Sequence, residues 1–149
     1  PSEHLATIIK LNPNMVIFHG EVEEDLVPIF EKLKSETMIK PGIALLRSTV
    51  PQTVEPAILA AEHVLVFSGN LGEYGGKASM MQLEKIRLIK AINSNVEIGW
   101  DGGANLSNVF SLSQGGVDVI NVGGAIANAT DPAEVYKAMC TEISRKGTI

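Results

Sequence analysis

Three glycine pairs and one aspartate carry the chemistry that can be read along this chain. Gly75-Gly76 follows the apolar run VLVFSG (64–69), Gly102-Gly103 follows VEIGW (96–100), and Gly123-Gly124 follows VDVINV (117–122). Glycine has no Cβ, so the backbone turns tightly there and an anion can approach its N–H groups closely. Three such pairs, one after each of the last three strand-like runs, point to a single phosphate cradle on one rim of a parallel sheet. Only the Asp101-Gly102-Gly103 run also holds a carboxylate. An aspartate at the C-terminal end of a parallel strand stands on the rim where α/β active sites form. Its chemistry there would be general acid–base transfer or metal ligation. The same triplet also makes a turn in which the aspartate bonds the N–H groups two residues on, and the triplet alone does not choose between the two.

Gly123-Gly124-Ala125 precedes a short segment, AIANAT, before the final helix. Barrels bind phosphate at such loops, using the N-terminus of a short extra helix; a plain strand-to-helix turn uses glycine as well. The loop from Ser68 to Lys77 holds four glycines and is long for a connection of this kind, which fits a substrate cover or a surface loop. His19 ends the first strand and can face the same rim, whereas His63 begins its strand on the opposite rim and reads as structural. His4 reads as solvent-facing. No two His, Cys or carboxylate residues stand at a spacing that makes a metal site by itself. Trp100 alternates with Asp101 and is expected to pack on the other side of the strand. Met38, Met80, Met81 and Met139 read as core fillers. The acidic run Glu21, Glu23, Glu24, Asp25 reads as a solvated loop and helix start.

The elements that position these residues are five short runs: MVIFHG (15–20), GIALLR (42–47), HVLVFSG (63–69), VEIGWDG (96–102) and VDVINVGG (117–124). They are nearly continuous apolar runs, as in parallel strands covered on both faces, and they recur at the spacing of βα units. Helical patterns lie between them. Ser2 is a candidate N-cap with Leu5, Ile8 and Ile9 on one face. Residues 24–36 place Leu26, Ile29, Phe30 and Leu33 at helical spacing, and Thr53 opens 53–61. Residues 79–93 stripe Met80, Leu83, Ile86 and Ile89, and Asn105 can cap 106–114. Asp131-Pro132 starts a last helix running to about Ser144, with Arg145 and Lys146 suited to its C-terminal dipole.

The order is a helix followed by five βα units in 149 residues, which predicts one domain. A complete (β/α)₈ barrel takes about 250 residues. The net charge of −5 gives no support for nucleic-acid or membrane binding. No apolar run reaches the roughly 18 residues of a membrane span, and no leader is expected at the N-terminus. Cys140 is the only cysteine, so no intrachain disulfide forms, and a reducing, cytoplasmic setting is expected.

At these residues the chain resembles the ribulose-phosphate 3-epimerase family of ribulose-phosphate-binding barrels, from about residue 2 to residue 139. MVIFHGEV, with His19 and Glu21, resembles the family's fourth strand, and VLVFSGNLGEYGGK its sixth strand and covering loop. VEIGWDGGAN resembles the seventh strand with its Asp-Gly-Gly turn, and VDVINVGGAI the eighth strand and phosphate loop. The resemblance implies a partial TIM (β/α)₈ barrel spanning residues 1–149, with five parallel strands equivalent to strands 4–8 and helices outside. It implies an isomerase that epimerises a phosphorylated ketose through an enediolate. Asp101 would be one of two catalytic aspartates and a metal ligand. Gly75, Gly76, Gly102, Gly103, Gly123 and Gly124 would border the phosphate. The cofactor would be a divalent metal (zinc, iron or manganese), acting as a Lewis acid on the enediolate oxygens.

The departures are equally specific. The family carries its second aspartate and its metal-binding histidines on strands 1 to 3, and this chain is expected to lack them. That predicts a truncated chain, inactive alone and without a tightly held metal. The covering loop is one residue longer near Glu73, Gly124 stands where the family has serine, and Arg47-Ser48-Thr49 stands where it has a Lys-Pro-Gly type sequence. A non-catalytic sugar-phosphate-binding module is the alternative. A decarboxylase or aldolase of the same superfamily would call for an active-site lysine, and Lys77, in the loop, is poorly placed for one. An opened barrel exposes two sheet edges and its inner face, which predicts a homodimer or higher oligomer.

Overall fold

The computed structural model describes residues 1–69, 72 and 76–145. Five strands form one parallel sheet in the order of the sequence: β1 Met15–His19, β2 Lys40–Leu45, β3 His63–Phe67, β4 Glu97–Asp101 and β5 Val119–Ile120. Between and around them lie α1 Leu5–Leu11, α2 Val27–Glu36, α3 Glu55–Ala60, α4 Leu83–Ile92, α5 Val109–Gln114, α6 Gly124–Ala127 and α7 Pro132–Ser144. Each strand pairs with the next one in the chain, so a helix or loop crosses back over the sheet at every step. This is the arrangement expected of a partial (β/α)₈ barrel.

Alternation along the strands separates two faces. Ile43 and Leu45 of β2, Val64 and Val66 of β3, and Ile98 and Trp100 of β4 are fully buried. They join one core with Ile29, Phe30 and Leu33 of α2, Ile58 of α3, Ile86 and Ile89 of α4, and Leu112 of α5. Each such side chain contributes about 1.5–3 kcal/mol by leaving water, which is what holds the helices on that face. The other face is the concave one. Leu65 and Phe67 are only partly covered there, and Ile17 and Val119 are exposed. A Cβ at Gly99 would collide with His63 Nε2 and lie 2.8 Å from His63 Cε1 and from Leu65 Cδ1, so this glycine makes room for two side chains crossing the concave face.

The last strand is shorter than its apolar run. Only Val119 and Ile120 pair, because Asp118 takes part of the ladder with its side chain. The Ile98 N–H donates to Asp118 Oδ2 (2.8 Å) while the Asp118 N–H donates to Ile98 O (2.9 Å). The chain then leaves the sheet at Asn121, whose N–H donates to Trp100 O (2.9 Å).

Helix starts follow the expectations at one end and depart from them at the other. Asp131 caps α7 by accepting the Glu134 N–H (3.0 Å), with Pro132 in the first turn, and the helix ends at Ser144. Beyond it, the Arg145 guanidinium lies 4.5 Å over the Phe110 ring and 3.5 Å from Glu142, while Lys146 lies outside the described residues. Ser2 does not cap: it lies within a 3₁₀ turn, Ser2–His4, and its N–H donates to the Glu24 carboxylate (3.0 Å). Thr53 does not cap either, since its hydroxyl donates to Val50 O (2.7 Å) inside the 3₁₀ turn Pro51–Val54. Met38 and Met81 are not core fillers. They are 92% and 85% exposed, one in the turn before β2 and one in the 3₁₀ turn before α4, where the backbone aims them outward. Met139 is buried, and Met80 packs on the edge of the core.

Candidate functional site

The C-terminal ends of β3, β4 and β5 open into a cleft of about 480 Å³. Asp101 is the last residue of β4 and half-buried. Gly102, Gly103, Gly123, Gly124 and Gly76 line the same cleft, so the structure brings together five of the six glycines named from the sequence. The sixth, Gly75, lies outside the described residues. Among the described residues the Asp101 carboxylate accepts no hydrogen bond, so the turn does not consume it in the way an Asx turn would. The N–H groups of Gly103, Gly124 and Ala125 likewise have no acceptor among the described residues. Free amides on two neighbouring strand tips beside one open carboxylate can bind an anion and exchange a proton with what is attached to it.

The turn after β4 is built by backbone contacts that only glycine permits. Gly102 and Gly103 have φ of 104° and 68°. A Cβ on Gly102 would collide with Gly69 N and lie 2.9 Å from its Cα. One on Gly103 would collide with Ala78 N and lie 2.5 Å from Lys77 C. The two glycines therefore interlock with both ends of the loop that leaves β3, a role for them besides admitting a ligand. Ser68, fully buried, joins those loop ends. Its N–H donates to Asp101 O (2.7 Å) and its hydroxyl accepts the Ser79 N–H (2.8 Å). The Gly103 carbonyl accepts from the carboxamides of Asn105 (3.1 Å) and Asn108 (3.0 Å). Asn105 was expected to cap a helix at 106; it accepts the Ser107 N–H (2.9 Å), and α5 starts three residues later. Trp100 packs on the helix side as expected, and its indole N–H donates to Gly102 O (3.1 Å), tying the turn to the core.

The tips of β1 and β2 are different. Glu21 lies exposed in the loop after β1, as the acidic run suggested, but its carboxylate is fully engaged. It accepts the Leu46 N–H (2.9 Å) and the Thr49 hydroxyl, and its other oxygen lies 3.3 Å from His19 Nδ1. Burial pushes this carboxyl up, but the bonds from Thr49, Leu46 and His19 outweigh it and hold it below 4.5. Lys85, on α4, reaches the same loop from below. It is 9% exposed, and its ammonium donates to Leu46 O (2.5 Å) and Arg47 O (2.9 Å). Burial lowers its pKa, with the Glu21 charge opposing. Sequence reading did not find Lys85, because one lysine on a helix stripe looks like a solvated one. Glu24 and Asp25 of the acidic run are bound too, accepting the Ser2 N–H (3.0 Å) and the Val27 N–H (3.0 Å), while Glu23 is exposed.

His63 sits at the opposite rim, nearly buried, with Nδ1 2.8 Å from Glu97 Oε1, which fits the structural role expected of it. His4 is exposed as expected, beside Glu3 (3.0 Å). Asp101 is the one carboxylate among the described residues lining the cleft, and no group of three His, Cys, Asp or Glu among the described residues could hold a metal ion. A divalent metal therefore does not fit the donor set described here. Among the described residues no helix is long and apolar enough to cross a membrane.

Comparison with known proteins agrees with this geometry. A family model described as the ribulose-phosphate 3 epimerase family matches residues 1–127. A ribulose-phosphate 3-epimerase of Helicobacter pylori is 34% identical over 125 residues, covering 81% of this chain and 57% of that protein. The cytoplasmic isoform of ribulose-phosphate 3-epimerase from Oryza sativa is 29% identical over 143 residues, covering 93% of this chain and 62% of its own length. The chain thus spans about three-fifths of these relatives. A crystal structure of 3-hexulose-6-phosphate synthase superposes with a TM-score of 0.68 at 16% identity, covering 94% of this chain and 67% of that one, which shows the shared barrel fold. The chain is a partial (β/α) barrel and belongs to the ribulose-phosphate 3-epimerase family.

Proposed function

We propose that the cleft at β3–β5 holds a phosphorylated ketose for epimerisation, with Asp101 as an acid–base carboxylate. The cleft-lining glycines, together with Gly75, which precedes Gly76 in the sequence, would form the phosphate cradle. The observation that carries this reading is the Asp101 carboxylate opening into the same cleft as the amides of Gly103, Gly124 and Ala125, none of them bonded among the described residues. Epimerisation removes a proton α to a carbonyl and returns one to the opposite face of a planar enediolate. Asp101 can take or return the proton on one face; the phosphate, held by amides, fixes which carbon is presented to it. A second acid–base group is needed on the other face, and the described cleft-lining residues contain no other carboxylate. The reading therefore includes a finer statement: these 149 residues alone bind the sugar phosphate but do not turn it over, and hold no tight metal.

Residues 1–149 act as one incomplete barrel domain, and a second copy covers the open concave face and the two sheet edges, β1 and β5. The exposed, free Cys140 suits the reducing cytoplasm. A coupled epimerase assay on this chain with ribulose 5-phosphate and zinc, manganese or iron tests the catalytic statement: no turnover is expected, and a family-like rate would overturn it. Calorimetry tests the site. Phosphorylated sugars should bind and their unphosphorylated counterparts should not. In Asp101→Asn, phosphate affinity should rise about threefold as the negative charge leaves. Sedimentation at micromolar concentration should show a dimer; a clean monomer would remove that part.

A further inference from the structure

Asn121 stands where the sheet ends beside Asp101. In the parallel register Trp100 pairs with Ile120, so the next residues on the two strands, Asp101 and Asn121, share the concave side while Trp100 faces the helices. The Asn121 N–H donates to Trp100 O (2.9 Å), which fixes its backbone against β4. Its carboxamide lines the cleft and is exposed, and among the described residues it makes no hydrogen bond. The two carboxamides of the β4 turn behave differently from Asn121 and from Asn128, which also lines the cleft with no side-chain hydrogen bond among the described residues. Asn105 and Asn108 both donate to Gly103 O and so hold the loop.

We propose that Asn121 is a substrate-contacting, specificity-determining residue of this cleft. A primary carboxamide offers two N–H donors and one acceptor oxygen, with no charge at any working pH. Beside a carboxylate it discriminates in a way the carboxylate cannot. It donates to a carbonyl or hydroxyl oxygen of the sugar while Asp101 accepts a proton from the neighbouring carbon or hydroxyl. An apolar residue at this position would leave that sugar oxygen unbonded in a partly enclosed site. A ligand lacking the oxygen would instead leave the carboxamide unpaired. The chemical class it selects is a ketose phosphate with an oxygen substituent at the carbon facing β5. Inorganic phosphate, held by the glycine amides, does not need Asn121. This inference rests on the sugar-phosphate reading of the cleft and adds to it the residue that reads the sugar.

The test is calorimetric titration of the full chain and its Asn121→Val and Asn121→Asp variants with ribulose 5-phosphate and, separately, with inorganic phosphate. Asn121 is exposed, so both variants should fold, which thermal melts check. In Asn121→Val, ribulose 5-phosphate should bind about tenfold more weakly, with inorganic phosphate unchanged. In Asn121→Asp, the second carboxylate beside Asp101 should weaken sugar-phosphate binding at pH 7. Unchanged ribulose 5-phosphate affinity in Asn121→Val would overturn the role of Asn121 while leaving the cleft reading intact. Equal losses for both ligands would overturn it in favour of a structural role. Absence of any ribulose 5-phosphate binding by the unaltered chain would overturn the cleft reading itself and the inference with it.

Discussion

The two halves of one sheet rim use polar residues in opposite ways. At the tips of β1 and β2, Glu21, His19, Thr49 and Lys85 already have partners in the chain. The Leu46 peptide is gripped at its N–H by Glu21 and at its carbonyl by Lys85, and Thr49 and His19 complete the set around Glu21. At the tips of β3, β4 and β5, Asp101 and several amides face a cleft with no partner among the described residues. Charge density alone would have picked the first half as the site. Bond accounting picks the second: a buried charge with its bonds made builds structure, whereas an unmade bond on a cleft wall is available to a ligand.

The sharpest way to break this contrast is at Gly103, which belongs to the cleft wall yet is held by the chain itself. Gly103→Ala puts a methyl group into the Ala78 N–H and 2.5 Å from Lys77 C, at a φ of 68°. The loop end must move or the turn must open. We expect a loss of about 3–5 kcal/mol in unfolding free energy, measured by urea melts, with phosphate binding abolished. A mild variant would show that the interlock is loose and that the glycine serves the ligand alone.

Lys85→Met tests the other half next. The methionine keeps the stem's packing but leaves Leu46 O and Arg47 O without their donor, at a cost of about 2 kcal/mol. Phosphate affinity should stay within twofold, because Lys85 does not line the cleft. A large change in affinity with little change in stability would move the functional boundary across the rim.

Glu21→Gln is a smaller and pH-dependent perturbation. The folded value of Glu21 lies below 4.5, so the charged form is favoured by folding. Its contribution is complete above the unfolded value and is lost as pH falls through the lowered folded value. The substitution should therefore cost about 1 kcal/mol at pH 7, and the two proteins should converge in stability as pH falls through that lowered value. A constant difference from pH 7 to pH 3 would assign the effect to packing instead of charge.

What could be read from the sequence follows the same division. The strands and the Asp101 turn were legible because apolar runs ending in Gly-Gly are local patterns, and the family resemblance drew on those same stretches. Asp131-Pro132 was legible for the same reason, and α7 starts there. Ser2 and Thr53 failed as caps because distant or preceding groups, Glu24 and Val50 O, claim them. Lys85 and Glu21 were opaque because their partners lie 39 and 25 residues away along the chain. The two-residue β5 was hidden by an apolar run longer than its ladder, with Asp118 completing the pairing by side chain. Asn121 was unreadable until the register set it beside Asp101. Burial face and local turns are written in short windows; which polar group meets which is a property of the closed sheet.

Gly76 supplies the smallest and most discriminating test. Like Gly103 it lines the cleft, but a Cβ built on it meets nothing within 4 Å among the described residues, and it carries no left-handed φ. The described part of the fold therefore does not require glycine at this position. Gly76→Ala should leave stability unchanged or raise it by about 0.5 kcal/mol, since alanine lowers the entropy of the unfolded chain. If this glycine is present to let an anion approach the loop backbone, the same methyl group should weaken phosphate binding about threefold or more by calorimetry while the melt stays put. An affinity equal to that of the unaltered chain would confine the ligand to the tips of β4 and β5 and take the β3 loop out of the cradle. Set against Gly103→Ala, where fold and binding should fail together, this variant separates a glycine the chain needs from a glycine the ligand needs.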